Sequence, residues 1–274
     1  MAHRTSTLIH MRFLIFGDVV GAVGRAALTH VLPQLREERQ PDSVIINIEN
    51  SAHGNGISPS TMPEILGWKA DVYTTGDHAW DNHAGRGLLE DKKLAIIRPA
   101  NYVDSVPGRG YHVYTNGAYR IAVINLQGQV FMKNHPANPF LMLDELLKQS
   151  DIAGAHIKLV DFHAEASSEK RGFGWHADGR VSAVWGTHTH IPTADAQILT
   201  NGTGYCSDVG MNGSLDSIIG FDKEAPLKVF KQQVSMKLSP ADAGPYEVNA
   251  LQIDIDPSTG KTTAIEHVRR IVNY

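Results

Sequence analysis

Three apolar runs, each closing on a charged or amide side chain, constrain this chain more than any other feature. Phe13-Leu14-Ile15-Phe16 leads into Gly17-Asp18, and Val44-Ile45-Ile46-Asn47-Ile48 leads into Glu49-Asn50. Ala70-Asp71-Val72-Tyr73-Thr74 leads into Gly76-Asp77-His78. Continuous apolar runs suit strands buried on both faces of a parallel sheet. The segments between them, 25–39 and 59–68, read as helices. This alternation predicts a layered α/β fold that brings Asp18, Glu49-Asn50 and Asp77-His78 to one edge. That edge is the carboxyl end of the strands, where open α/β sheets place their sites. A lone carboxylate at a strand end is more often a helix cap or a loop residue. Successive strands all ending this way are harder to dismiss. The first turn is no dinucleotide loop: Gly17, Gly21 and Gly24 have the wrong spacing, and Asp18 would repel a pyrophosphate.

The remainder changes character. Trp80-Asp81-Asn82 reads as the start of a further helix. Segments 111–114 and 119–126 flank Asn116-Gly117, a strong hairpin signal, and predict an antiparallel second sheet. A helix is expected over 139–149. Ile157-Lys158-Leu159-Val160-Asp161-Phe162 is a strand ending at His163-Ala164-Glu165. Arg180-Val181-Ser182-Ala183-Val184-Trp185 is another, ending at Gly186-Thr187-His188-Thr189-His190, with Pro192 preventing a regular continuation. An isolated His-x-His is usually a surface or capping pair. In a turn at the mouth of a strand, both imidazoles can point into one crevice, and neutral imidazole suits first-row transition metals. A turn follows at 200–204, and 248–255 with 262–268 form a closing hairpin. No repeat, low-complexity segment or linker interrupts the chain. A single domain is expected over 11–274, with 1–10 a dispensable leader, because Met11 would itself begin the first strand naturally.

Composition excludes several classes. The chain has 274 residues, 42% hydrophobic and 20% charged, as in a soluble globular protein with a substantial core. A net charge of −4 gives no electrostatic case for duplex nucleic acid or an anionic membrane. No stretch is long and apolar enough to span a bilayer, and the N-terminus lacks a signal-peptide core. The single Cys206 rules out an internal disulfide framework and fits a reducing, cytoplasmic setting. The oligomeric state stays open, a homo-oligomer included.

Taken in order, Gly17-Asp18-Val19-Val20-Gly21, Asn47-Ile48-Glu49-Asn50, Thr75-Gly76-Asp77-His78, Asp161-Phe162-His163-Ala164-Glu165, Gly186-Thr187-His188-Thr189-His190 and Ser207-Asp208-Val209-Gly210-Met211 resemble the motifs of the calcineurin-like metallophosphoesterase superfamily. Within it they resemble the YmdB family of bacterial phosphodiesterases, from about Met11 to the C-terminus. The resemblance implies a four-layer α/β/β/α sandwich of two mixed β-sheets flanked by helices. It implies one metal among Asp18, Glu49, Asn50 and His190, and a second among Glu49, Asp77, His163 and His188, with Glu49 bridging. It implies iron and manganese as the pair, His78 over the substrate, and hydrolysis of phosphodiesters such as 2′,3′-cyclic AMP by a hydroxide held between the metals.

The chemistry accounts for such a set. A phosphodiester is anionic, so attack by hydroxide is electrostatically opposed. Two cations about 3.5–4 Å apart neutralise it, orient it and acidify a water. Mixed oxygen and nitrogen donors suit manganese and iron, and the absence of a cysteine cluster argues against structural zinc. The departing alkoxide needs a proton, for which a histidine is the natural donor; His78 is the candidate. One departure stands out: the family usually carries Asn at the position of Asp77. With two dications and one hydroxide, Asp18, Glu49 and Asp77 bring the charge to zero, where Asn would leave it positive. Val20 also stands where other metallophosphoesterases have the histidine of an Asp-x-His, and Asn50 is the replacement the resemblance implies.

Glu165 is a candidate to orient a ligand histidine. Asp208 and Asn212 are candidates to shape the substrate loop. Lys170-Arg171 could meet a phosphate, although such a pair is usually exposed and solvated. Two competing readings remain: a metal-binding regulatory protein with vestigial turnover, and a mononuclear zinc hydrolase of the barrel type. The barrel fold usually carries its His-x-His on the first strand, whereas here the pair comes late.

Overall fold

The computed structural model describes residues 10–273. The leader expected over 1–10 lies, apart from His10, outside the described residues. The elements in order are β1 (Met11–Phe16), α1 (Gly21–Arg39), β2 (Ser43–Asn47), α2 (Met62–Gly67), β3 (Val72–Thr74), α3 (Arg86–Glu90), β4 (Tyr111–Asn116), β5 (Tyr119–Gln127), α4 (Pro139–Leu146), α5 (Ser150–Ala153), β6 (Ile157–His163), α6 (Ser167–Ala177), β7 (Ala183–Thr187), β8 (Gln197–Ile198), β9 (Gly204–Cys206), β10 (Gly213–Ser214), α7 (Glu224–Gln232), β11 (Tyr246–Asp256) and β12 (Lys261–Val272).

Two six-stranded mixed sheets result. The first runs β10-β11-β1-β2-β3, with β12 also on β11. There β1, β2 and β3 are parallel, and β11 is antiparallel to β1. The second runs β4-β5-β6-β7-β9-β8. Its β4–β5 hairpin is antiparallel, as the Asn116-Gly117 signal predicts, but β5, β6, β7 and β9 are parallel to one another. The expectation of an antiparallel second sheet is therefore corrected. The helices α4, α5 and α6 carry the chain back between successive strands, and such crossovers make neighbours parallel. The stacked sheets also exclude the barrel reading.

Side-chain alternation assigns each strand a face. Phe13 and Ile15 of β1, Ile45 of β2, Ile121 and Val123 of β5, and Leu159 of β6 share one cluster between the sheets. Leu14, Phe16, Val44 and Ile46 face the other way, against Leu28, Val31 and Leu35 of α1. Ala122, Ile124, Val160 and Phe162 pack on Leu143 of α4 and Phe173 of α6. The order is helix, sheet, sheet, helix, the four layers the resemblance implies. Each fully buried aliphatic or aromatic side chain contributes about 1.5–3 kcal/mol.

The helix expected from residue 25 begins at Gly21 instead, with the Gly21 amide bonded to the Asn50 carbonyl at 2.9 Å. Gly24 permits that early start: a Cβ there would lie 2.2 Å from the Asn212 carbonyl oxygen. Asn82 accepts from the Ala84 amide and caps the 3₁₀ turn that enters α3. Among the described residues, no helix is long and apolar enough to cross a membrane.

Candidate metal centre

The first sheet delivers its polar residues at the ends of β1, β2 and β3. Asp18 leaves β1 in a loop clamped from the far end of the chain: the Asn212 amide donates to the Asp18 carbonyl at 2.7 Å, and Asn212 Nδ2 donates to the Gly17 carbonyl at 2.7 Å. Glu49 follows β2, its amide held by Asn47 Oδ1 at 3.0 Å. Its Oε1 accepts from the His78 amide at 2.9 Å, tying the second strand end to the third. Asp18, Glu49, Asn50 and Asp77 are all buried. Gly76 is required by this convergence. A Cβ there would sit 1.8 Å from Glu49 Oε2 and 2.3 Å from His163 Nε2.

The second sheet supplies the histidines. His163 ends β6 and is fully buried. Its Nδ1 lies 2.8 Å from Thr187 Oγ1, which donates its own proton to Asp161 Oδ1 at 2.7 Å. Thr187 can therefore only accept from His163, so Nδ1 carries a hydrogen and Nε2 is directed into the site. There Nε2 is 3.1 Å from Asp77 Oδ1, 3.1 Å from Glu49 Oε2 and 3.1 Å from His188 Nδ1. His188 places its Nε2 3.3 Å from Glu165 Oε2, and its amide donates to Asp18 Oδ2 at 3.2 Å. His190 donates from Nδ1 to the Ile219 carbonyl at 2.8 Å, leaving Nε2 2.9 Å from the side-chain Nδ2 of Asn50 and 3.9 Å from Asp18 Oδ1. Each of these imidazoles thus has one nitrogen fixed by an acceptor and the other turned inward, the arrangement that orients metal-binding histidines. His188 and His190 both adopt positive φ, at 93° and 65°.

The charges are mutually dependent. Burial raises the Asp77 carboxyl, but hydrogen bonds to His163 and His188 outweigh it and hold it far below the usual carboxylate range. Burial lowers His163, yet Glu49 and Asp77 drive it well above the ordinary imidazole value. Without a metal, a proton on His163 Nε2 balances these carboxylates. His78 makes a different contact, with Nδ1 2.7 Å from Asp81 Oδ2 and Nε2 4.0 Å from Asp77 Oδ2. Burial lowers it, while Glu49, Asp77 and Asp81 together raise it.

Two buried oxygens in this cluster, Asp18 Oδ1 and Asn50 Oδ1, have no hydrogen-bond partner among the described residues, and Glu49 Oε2 has only its ionic contact with His163 Nε2. Unsatisfied buried oxygens are costly and rare. Donor atoms of Asp77, His163 and His188 lie within 4.8 Å of one another, as do those of Asp18, Glu49 and His163. Glu49, Asp77 and His78 form a further such group. The residues fit a centre that takes cations, and a cation would satisfy the unpartnered oxygens. A cleft of about 330 Å³ opens over them, lined by Asn50, His78, Glu165, His188, His190 and the loop at Ile219 and Phe221.

The less prominent candidates fall on either side of this centre. Lys170 does not await a phosphate: it is buried and donates to Asp208 and to the Thr187 carbonyl. The helix α6, which the sequence pattern does not announce, turns it inward. Arg171 stacks over Trp175 and Tyr205, away from the cleft. Asp208 is buried and accepts from the Thr189 amide at 3.2 Å and the Thr189 hydroxyl at 2.7 Å. It holds the His188-Thr189-His190 turn in shape. Asn212 holds the Asp18 loop, and Glu165 contacts His188 as described above.

Sequence reasoning misses the layer beneath. Asp161 is fully buried and accepts from Thr187, Thr74 and Asn47 Nδ2. Burial pushes its carboxyl up to about 6, against hydrogen bonds from Thr74 and Thr187. A signal for it exists: Asp161 continues the inward-facing series Ile157, Leu159, where a carboxylate is out of place. Asp81 is missed as well.

A family model described as YmdB-like protein matches residues 14–268. Over 259 residues the chain is 42% identical to the 2′,3′-cyclic-nucleotide 2′-phosphodiesterase of Bacillus subtilis (strain 168), covering 94% of this chain and 96% of that protein. It superposes with a TM-score of 0.90 on a crystal structure of a novel phosphatase from Mycoplasma pneumoniae, at 31% identity, covering 96% of this chain and 94% of that one. A hypothetical protein from Thermus thermophilus gives a TM-score of 0.88 at 36% identity, covering 95% of this chain and 99% of that one. A match across nearly the whole chain, with relatives at this level of identity, means that the chain belongs to the YmdB-like family and is a hydrolase of the metallophosphoesterase type.

Proposed function

We propose that the enzyme hydrolyses small phosphodiesters, with nucleoside 2′,3′-cyclic phosphates as its substrate class, at a two-metal centre. The observation that carries this reading is the convergence of the buried, unpartnered Asp18 Oδ1 and Asn50 Oδ1, and of Glu49 Oε2, whose one contact is ionic, with inward-turned imidazole nitrogens of His163, His188 and His190. Asp18, Glu49, Asn50 and His190 would hold one cation, and Glu49, Asp77, His163 and His188 the other. Bound cations would supply charge neutralisation and a more acidic water. An all oxygen and nitrogen donor set suits iron and manganese. Asp18, Glu49 and Asp77 set the charge of the site, and Glu49 belongs to both halves. His78, oriented through Nδ1 by Asp81, donates a proton from Nε2 to the leaving oxygen. Because both sheets contribute, residues 11–274 act as one catalytic domain. The Bacillus subtilis relative, named for a 2′,3′-cyclic-nucleotide activity, supports the substrate class.

The test is direct. Protein stripped with a chelator and reloaded with iron or manganese should hydrolyse 2′,3′-cyclic AMP and bind two metals per chain. Binding of a single metal, or no turnover when both are bound, would overturn the reading.

A further inference from the structure

The loop that fixes His190 carries a contradiction between sequence and conformation. Ile218 and Phe221 form an antiparallel bridge with reciprocal hydrogen bonds, Ile218 amide to Phe221 carbonyl at 2.9 Å and Phe221 amide to Ile218 carbonyl at 3.0 Å. The two residues between them both have positive φ, 48° at Ile219 and 95° at Gly220. This is the type I′ hairpin turn, whose first central position favours Asn, Asp or Gly. A β-branched residue there is a genuine outlier and strains the backbone. The turn is firmly held: the Gly220 amide donates to Ser217 Oγ at 2.9 Å, the Ala241 amide to the Gly220 carbonyl at 2.9 Å, and Phe221 bridges to Pro240.

Aiming the Ile219 carbonyl at His190 explains the positive φ but not the isoleucine. Asn or Gly would make the same turn with less strain. What isoleucine adds is a side chain, and that side chain is 40% exposed on the lip of the cleft, beside Phe221. Among the described residues lining the cleft there is no Lys or Arg to take a second phosphate. An apolar wall with no cation suits an uncharged, flat organic group.

We infer that Ile219 and Phe221 form the wall against which the nucleobase of the substrate packs, so that Ile219 determines specificity. This rests on the proposed cyclic-nucleotide reading and adds the means of recognition to it. A rigid, preformed wall gains affinity because little must be ordered on binding.

The experiment compares 2′,3′-cyclic AMP with abasic ribose 2′,3′-cyclic phosphate in metal-loaded wild type, Ile219→Asn and Ile219→Val. The Asn variant matches the turn's preference, so its Tm should equal or exceed that of wild type. The ratio of kcat/KM for cyclic AMP over the abasic compound should fall about 10-fold in Ile219→Asn, through KM rather than kcat, the scale of apolar discrimination in a pocket. Ile219→Val, which keeps a branched apolar side chain, should stay near the wild-type ratio. An unchanged ratio in Ile219→Asn, or an equal loss on both compounds, would overturn the inference while leaving the catalytic reading intact. A wild type that hydrolyses neither compound would overturn both.

Discussion

Replacing Asp161 by asparagine should stabilise the metal-free protein and weaken its hold on metal. In the metal-free fold the Asp161 carboxyl is pushed up to about 6, burial being the largest cause, against about 3.9 for an unfolded aspartate. A group raised in the folded state favours folding fully below the unfolded value, and that benefit is lost as pH rises through the folded one. At neutral pH the ionised, buried Asp161 therefore costs about 3 kcal/mol. Asparagine removes that cost but turns an amide donor toward one of its neighbours. Thr74 can rotate to accept from it, whereas Asn47 Nδ2, at 3.2 Å, cannot, which returns about 1–2 kcal/mol. The net gain at pH 7 is about 1–2 kcal/mol, or about 2–8 °C in Tm for a chain of this size. It should vanish near pH 4, where Asp161 is protonated. Metal affinity should fall about 10–100-fold, because Thr187 then donates to a neutral oxygen in place of an anion and holds His163 less firmly. Thermal unfolding in chelator across pH 4–8, with calorimetric metal titration, measures both. A Tm at pH 7 below wild type together with undiminished metal affinity would refute the reasoning.

Three further outcomes are expected. His163→Ala and His188→Ala should each lose one metal per chain by elemental analysis while far-UV circular dichroism stays native; retention of both metals would show the assignment to be wrong. His78→Ala should keep its metals and lose about 10²–10⁴-fold in kcat on alkyl diesters, with a smaller loss on nitrophenyl diesters, whose leaving group needs no proton. Equal losses on both would remove the proton-donor role. Asp77→Asn should raise kcat/KM on an anionic diester with metal in excess, and move the rise of the pH–rate profile to lower pH, because one fewer anion shares the cations' charge. Lower activity at full metal occupancy would overturn that charge argument.

The polar ends of β1, β2, β3, β6 and β7 are legible in the sequence because each follows an apolar run long enough to read as a buried strand. The elements that escape such reading are short or mixed. α6 spans Ser167–Ala177 and begins with no side-chain cap. α7 spans Glu224–Gln232 and has only Pro226 buried, so little core contact marks it in the sequence. The parallel direction of β5, β6 and β7 is hidden because a hairpin signal reports one pairing and not the rest of the sheet. Asp161 is easily passed over because it lies inside a strand rather than at its end. Lys170 reads as exposed because it sits beside Arg171, and only the helix that separates their directions shows that one is buried and the other stacked on the surface.

Carboxylates and imidazoles arrive from opposite sheets: Asp18, Glu49 and Asp77 from the first, His163, His188 and His190 from the second. The first sheet moreover pairs β1 with β11, which is distant from it in sequence. Until both sheets have formed and packed together, the carboxylates and the imidazoles remain apart. Splitting the donors between layers makes the assembled cluster a property of the packed sandwich and of neither sheet alone.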